Sequence, residues 1–163
     1  MDEASAEKSR KETSKFDSLE QEVYLNLWRA FDRLRSIEDE VFLPLGITSQ
    51  QYNVLRLLES NHPESVPTLI IGDQMISKSP DITRMLDKLE KASFIQRTRP
   101  SENRRTVLIN ITSAGLKLLE EIAVPLNRCH KKQLGHLSQV ELHEMASLLR
   151  KVRKPHEPEK TPW

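Results

Sequence analysis

The chain holds one cysteine, Cys129, in 163 residues, which excludes an internal disulfide framework and fits a reducing compartment. No apolar run approaches the roughly 18 residues of a membrane-spanning helix, and the N-terminus lacks the apolar stretch of a secretory signal, so a soluble, cytoplasmic protein is expected. There is no glycine-rich phosphate loop, no nucleophile motif and no paired-carboxylate constellation, and the enzyme class is set aside on that ground. Internal repeats are absent. A global excess of charge is absent too: 25 Lys and Arg face 24 Asp and Glu, so any case for a polyanionic partner must rest on where the charges sit.

They sit unevenly. Between Lys78 and Arg105 there are eight basic and four acidic residues, a local surplus in a nearly neutral chain. The length suits one domain with a real core, and the apolar periodicity makes it mainly helical. Residues 1–15 mix opposite charges with small polar groups and read as a disordered arm. From Phe16 to Phe42, Leu19, Val23, Leu27, Ala30, Phe31, Leu34 and Val41 recur at helical steps as one buried stripe. Pro44 and Gly46 end that helix, and Thr48 caps a second carrying Tyr52, Leu55, Leu57 and Leu58. Asn61 to Pro67 reads as a loop, Thr68 to Ile76 as a short third helix, and Ser77-Lys78 as a turn.

The next helix carries the functional argument. Ser79 is the expected N-cap and Pro80 the first helical residue, with Asp81 adding negative charge near the positive end of the dipole. Ile82, Met85, Leu86 and Leu89 form the inward stripe; Asp81, Arg84, Lys88 and Lys91 face the other way. Phe94 to Arg99 and Thr106 to Ile111 read as two strands joined by a polar tip, Pro100 to Arg105. Thr112 caps a fifth helix with Leu119, Ile122, Ala123, Leu126 and Cys129 on one stripe, bent by Pro125 and ended by Gly135. Ser138 and Glu141 make a capping box for a sixth, with Met145, Leu148, Leu149 and Val152 on its apolar face; residues 155–163 read as a disordered tail.

Helix, turn, capped helix and basic hairpin in that order describe a winged helix-turn-helix, and a helix with a buried rear and a polar front suits readout in the major groove. Arg84 is the expected base reader, because its guanidinium fork can bond both acceptors of a guanine. Lys88 and Lys91 are expected on phosphates, Thr83 and the Pro80 ring on a thymine methyl, and Ser77, Lys78 and Ser79 on a phosphate. Arg104 and Arg105 at the tip suit the minor groove, with Arg97 and Arg99 on the flanking backbone. The alternative is a winged-helix module whose basic helix meets an acidic protein partner.

These residues resemble the MarR family of bacterial transcriptional regulators over roughly Leu19 to Arg153. IGDQM at 71–75 matches its first helix-turn-helix segment, PDITRMLDKLEKASFIQR at 80–97 its recognition helix and first wing strand, and ENRRTVLINITSAG at 102–115 its wing and the following helix. The resemblance implies a winged helix-turn-helix at about 48–111 and dimerisation helices at about 16–43 and 112–154, together one domain over 16–154. It further implies a homodimer in which the first, fifth and sixth helices intertwine, a pseudo-palindromic DNA operator, and a ligand-responsive repressor.

Two positions depart from the family pattern. Ser93 stands where a glycine is usual at the recognition-helix exit, and Asn103 where a wing aspartate usually orients an arginine, which leaves Arg105 less firmly held. Family members respond to small aromatic acids, oxidants or metals. Trp28, Phe31, Arg35 and Tyr52 are the candidates here for a cleft taking a small aromatic or anionic effector; the alternative makes Trp28 and Phe31 dimer core and Arg35 a surface residue. Cys129 is read as a buried thiol, with a redox-responsive role as the alternative. His130, His136 and His143 do not share a helix face as zinc ligands would, and no metal or cofactor is expected.

Overall fold

The computed structural model describes residues 15–76, 81–101, 103 and 105–157. They form six helices and three short strands in the order α1 (Leu19–Phe42), α2 (Ser49–Asn61), β1 (Val66–Pro67), α3 (Thr68–Gln74), α4 (Ile82–Lys91), β2 (Ile95–Thr98), β3 (Leu108–Ile111), α5 (Ser113–Leu134) and α6 (Gln139–Arg153). By internal contacts the chain divides into two compact units between Ile37 and Glu38, within α1.

In the first unit, the apolar stripe of α1 is largely uncovered. Leu19, Val23, Tyr24, Trp28 and Phe31 are all exposed, and Ala30 with them, so the expected buried stripe is not buried within a single chain. The helix begins at Leu19 rather than Phe16. Asp17 and Ser18 hold its start: the Ser18 hydroxyl accepts from the Gln21 amide at 3.1 Å, and Gln21 bonds back to Asp17.

The second unit contains the core. Phe42, Leu55, Leu58, Ile71, Leu86, Leu89, Ile95, Ile109 and Ile122 are almost wholly buried, drawn from every helix of the unit but α6 and from two of its strands. Burial of this kind contributes about 1.5–3 kcal/mol per large side chain. Leu43–Leu45 form a single 3-10 turn, after which Gly46 takes φ +70°, a left-handed conformation open to glycine at little cost, and Thr48 starts α2 with a reciprocal capping box to Gln51.

The sheet is antiparallel in the order β1-β3-β2, with Val66 opposite Ile109, Ile95 opposite Ile111 and Thr98 opposite Leu108. The third strand, β1, lies where the sequence reads as a loop. Two residues ending in a proline carry no period-2 signal, and an edge position suits a residue with no amide to donate. The Thr68 amide and hydroxyl both donate to Val107 O, at 3.1 and 3.2 Å, fastening the start of α3 to the residue just before β3, at the tip-side end of the ladder. The hairpin strands are each two residues shorter than expected, and α3 stops at Gln74 rather than Ile76.

Thr112 caps α5 by accepting from Gly115 N, and the inward stripe of α5 is Leu118, Leu119, Ile122, Leu126 and Cys129. Ala123 is exposed: four residues after Leu119, it lies about 40° beyond that edge of the stripe and about 100° from Ile122. Ser138 and Glu141 form the expected capping box on α6, and the Ser138 hydroxyl and amide hold the Glu141 carboxylate below its usual value. That preference favours the fold above the ordinary carboxylate range and is lost as pH falls through the depressed value. No residue of α6 is buried; Leu148 and Val152 are exposed.

Candidate nucleic-acid interface

The helix with the strongest functional claim, α4, starts two residues later than its sequence suggests. Asp81 is the N-cap, its carboxylate accepting from Arg84 N at 3.0 Å, so one side chain supplies both the cap bond and the charge favoured at that end. Ser77, Lys78, Ser79 and Pro80 lie outside the described residues, as does Arg104. Met85, Leu86 and Leu89 are buried and Ile82 half-buried, which fixes the opposite face outward. Thr83, Arg84, Lys88 and Lys91 are exposed there, and among the described residues no ion pair engages Arg84, Lys88 or Lys91. Three cations without an internal ion pair on a rigidly backed helix are available to an external anion.

The exit from α4 is closely held. Ser93 takes φ +62°, the left-handed conformation that a glycine usually supplies. Ser93 N donates to Glu90 O at 2.8 Å and Phe94 N to Leu89 O at 3.0 Å, while the Thr112 hydroxyl donates to Ser93 O at 2.7 Å. These bonds offset the strain of a Cβ in that region. Ser93→Gly is expected to raise the unfolding free energy by about 1 kcal/mol, read from the urea midpoint. An unchanged midpoint would mean that the turn carries no such strain.

At the wing tip, Asn103 N donates to Pro100 O at 3.2 Å and Thr106 N to Asn103 O at 3.1 Å. The Asn103 side-chain oxygen accepts from the main-chain amide of Arg105 at 3.2 Å. Asparagine therefore orders the backbone of the tip, and the exposed Arg105 guanidinium is not the group it holds. Arg99 is exposed as well.

Arg97 differs from the other basic residues. Its guanidinium meets Asp87 at 2.5 Å and Glu90 at 3.4 Å and donates to Thr83 O at 3.3 Å, while its own amide donates to Glu90. A strand arginine reads from sequence as a backbone grip; its three partners, seven to fourteen residues away, become visible only once β2 lies along α4.

The effector candidates divide by environment. Trp28 pairs with Tyr24 at 6.2 Å between ring centroids, and Trp28, Phe31 and Arg35 are exposed on α1. Tyr52 packs on Phe42 at 5.1 Å, and burial pushes its phenol above the usual value. An open groove of about 460 Å³ lies elsewhere, bordered by Leu43, Ile47, Lys88, Lys91 and Phe94. Its residues come from separate segments of the chain, which hides it from a linear reading.

Cys129 is buried, and burial followed by the charge of Glu38 pushes its thiol up. The folded chain is expected to react with a thiol reagent at pH 8 far more slowly than the chain unfolded in urea. Because folding holds the proton to higher pH, the raised thiol favours the fold below the ordinary thiol value, and that contribution to stability is lost as pH rises through the raised value. Equal rates for folded and unfolded chains would refute the buried placement. Among the described residues no cluster of His, Cys, Asp and Glu could hold a metal, and no helix is long and apolar enough to cross a membrane.

Comparison with known proteins bears on the same surface. A family model described as the MarR family matches residues 47–107, from the end of the 3-10 turn through the wing tip. A crystal structure of a MarR transcription factor from Planctomyces limnophilus is 50% identical, covers 83% of this chain and 98% of its own, and superposes with a TM-score of 0.67. The HTH-type transcriptional regulator FarR of Neisseria gonorrhoeae is 29% identical over 133 residues, 80% of this chain and 90% of that protein. A mutant MarR from E. coli, complexed with operator DNA, shares the fold at 21% identity, with a TM-score of 0.72 over 83% of this chain and 98% of its own.

Proposed function

Because the chain belongs to the MarR family, and is thus a DNA-binding transcriptional regulator rather than an enzyme, we propose that it acts as a homodimeric, ligand-responsive repressor on a pseudo-palindromic operator. The observation that carries this reading is the outward face of α4, where Arg84, Lys88 and Lys91 have no internal ion pair among the described residues. Arg84 reads base edges in the major groove; Lys88 and Lys91 take phosphates, with Thr83 and Pro80 against a thymine methyl. Ser77, Lys78 and Ser79 take a phosphate ahead of the helix. Arg104 and Arg105 enter the minor groove, and Arg99 follows the flanking backbone.

The dimer rests on apolar surface. Leu19, Val23, Tyr24, Trp28 and Phe31 on α1, with Val140, Leu148 and Val152 on α6, expose side chains that a monomer leaves wet. For response to a ligand, the groove bordered by Leu43, Ile47, Phe94, Lys88 and Lys91 sets two cations beside apolar side chains, so a small anion with an apolar body bound there competes with DNA phosphates for the two lysines.

Salt titration of binding to the promoter beside the protein's own gene, and to random duplex, tests the reading. Affinity is expected to fall with a log-log slope of about −0.9 per phosphate contact, and one site is expected to be preferred. Retention of neither duplex at low salt would sink it. Sedimentation is expected to give a mass near twice 18.9 kDa, and a monomer at micromolar concentration would remove the dimer.

A further inference from the structure

One side chain of the wing bonds to three residues of the recognition helix. Thr83, Asp87 and Glu90 share a stripe of α4 that lies about 100° around the helix from Arg84, Lys88 and Lys91. Arg97, on β2, engages all three members of that stripe: Asp87 at 2.5 Å, Glu90 at 3.4 Å, and the Thr83 carbonyl at 3.3 Å. The Arg97 amide also donates to Glu90 at 3.3 Å, so backbone and side chain of the same residue hold the helix together. The Arg97 side chain is only 24% exposed, whereas its carboxylate partners are 55% and 41% exposed. A planar fork with fixed donors sets an angle as well as a distance, which a lysine cannot do.

We propose that Arg97 is a positioning residue: through Asp87 and Glu90 it fixes the angle between α4 and the wing, so that major-groove and minor-groove contacts are made together, and it takes no phosphate itself. The proposal rests on the DNA-binding reading above. Its consequence is contrary to simple electrostatics. Asp87 and Glu90 are acidic groups on a DNA-binding helix, and neutralising them ought to tighten binding to a polyanion. If they serve as anchors for Arg97, neutralising them weakens it.

The test is a double-mutant cycle on the operator, with Arg97→Gln on one side and the pair Asp87→Asn, Glu90→Gln on the other. Each is expected to weaken operator binding roughly tenfold, and the combination by about the same factor, because both remove one interaction. Hydroxyl-radical protection of the minor groove at the wing is expected to fade in each while the base preference of α4 persists. Arg97→Lys is expected to recover only part of the loss. Tighter binding by the neutralised pair, or additive effects with a salt slope reduced by about one phosphate in Arg97→Gln alone, would overturn the proposal and make Arg97 a phosphate contact.

Hydrogen exchange on the DNA-free protein keeps the two readings separate. Arg97→Gln is expected to speed exchange in β2 and β3 selectively, whereas a general loss of stability would speed it throughout the core. Uniform or unchanged exchange overturns the positioning role whatever the DNA result. Failure of the unmodified protein to bind any duplex, with selective exchange in the variant, would instead remove the DNA reading and leave the joint intact.

Discussion

Gly115→Ala is expected to lower the unfolding free energy by about 3 kcal/mol, at the upper end of what overpacking a buried site costs. Gly115 sits in the first turn of α5, where a Cβ would lie 2.3 Å from Phe94 O and 2.7 Å from the Ile111 side chain. The first of these is main chain, so no rotamer change relieves it. Phe94 O cannot withdraw freely either, since it accepts from Thr112 N at 3.0 Å. The methyl must therefore break that bond, or push α5 off the hairpin and unseat the Thr112 cap. Urea unfolding of the variant measures the loss; a decrease under about 1 kcal/mol would show that the contact relaxes without consequence. Because the turn also ends α4, operator affinity is expected to fall more than stability alone accounts for at temperatures where the variant remains folded.

The second large effect is on sequence choice. Arg84→Ala is expected to remove about 1 to 3 kcal/mol of discrimination at one position in each half-site, while Lys88→Ala weakens all sequences alike and reduces the salt slope by about one. The asymmetry follows from geometry. Arg84 lies in the first turn of α4, its amide held by Asp81, and Lys88 is one turn further on; in the proposed docking the helix start would enter the groove, with Arg84 at the base edges and Lys88 beside the backbone. Selection from a random duplex library gives the preference matrix for each variant. A matrix unchanged by Arg84→Ala would transfer base reading to another residue.

Much of this is legible in the chain because its signals are local. Thr48 with Gln51, Thr112 with Gly115, and Ser138 with Glu141 each place a cap within three residues of its partner, and all three appear in the structure. The inward stripe of α4 is equally local, and Met85, Leu86 and Leu89 are buried as their spacing requires. The start of that helix reads two residues early because Ser79-Pro80 makes a strong N-terminal signature, yet Asp81 supplies the cap and the helix begins at Ile82. Features set by distant pairing leave no such trace. β1 exists because β3 offers Val66 and Pro67 an edge some forty residues away, and Arg97 finds its carboxylates only across the joint between helix and hairpin. The exposed stripe of α1 reads from sequence as buried because periodicity reports an apolar face without saying which molecule covers it.

Thr112 ties the ends of two helices to one residue. It caps α5, donates its hydroxyl to Ser93 O and its amide to Phe94 O, and stands three residues before a glycine with no room for a methyl. The end of α4 and the start of α5 are therefore held by one set of hydrogen bonds centred on Thr112. Displacing the start of α5 thus draws on the same hydrogen bonds that close the end of α4.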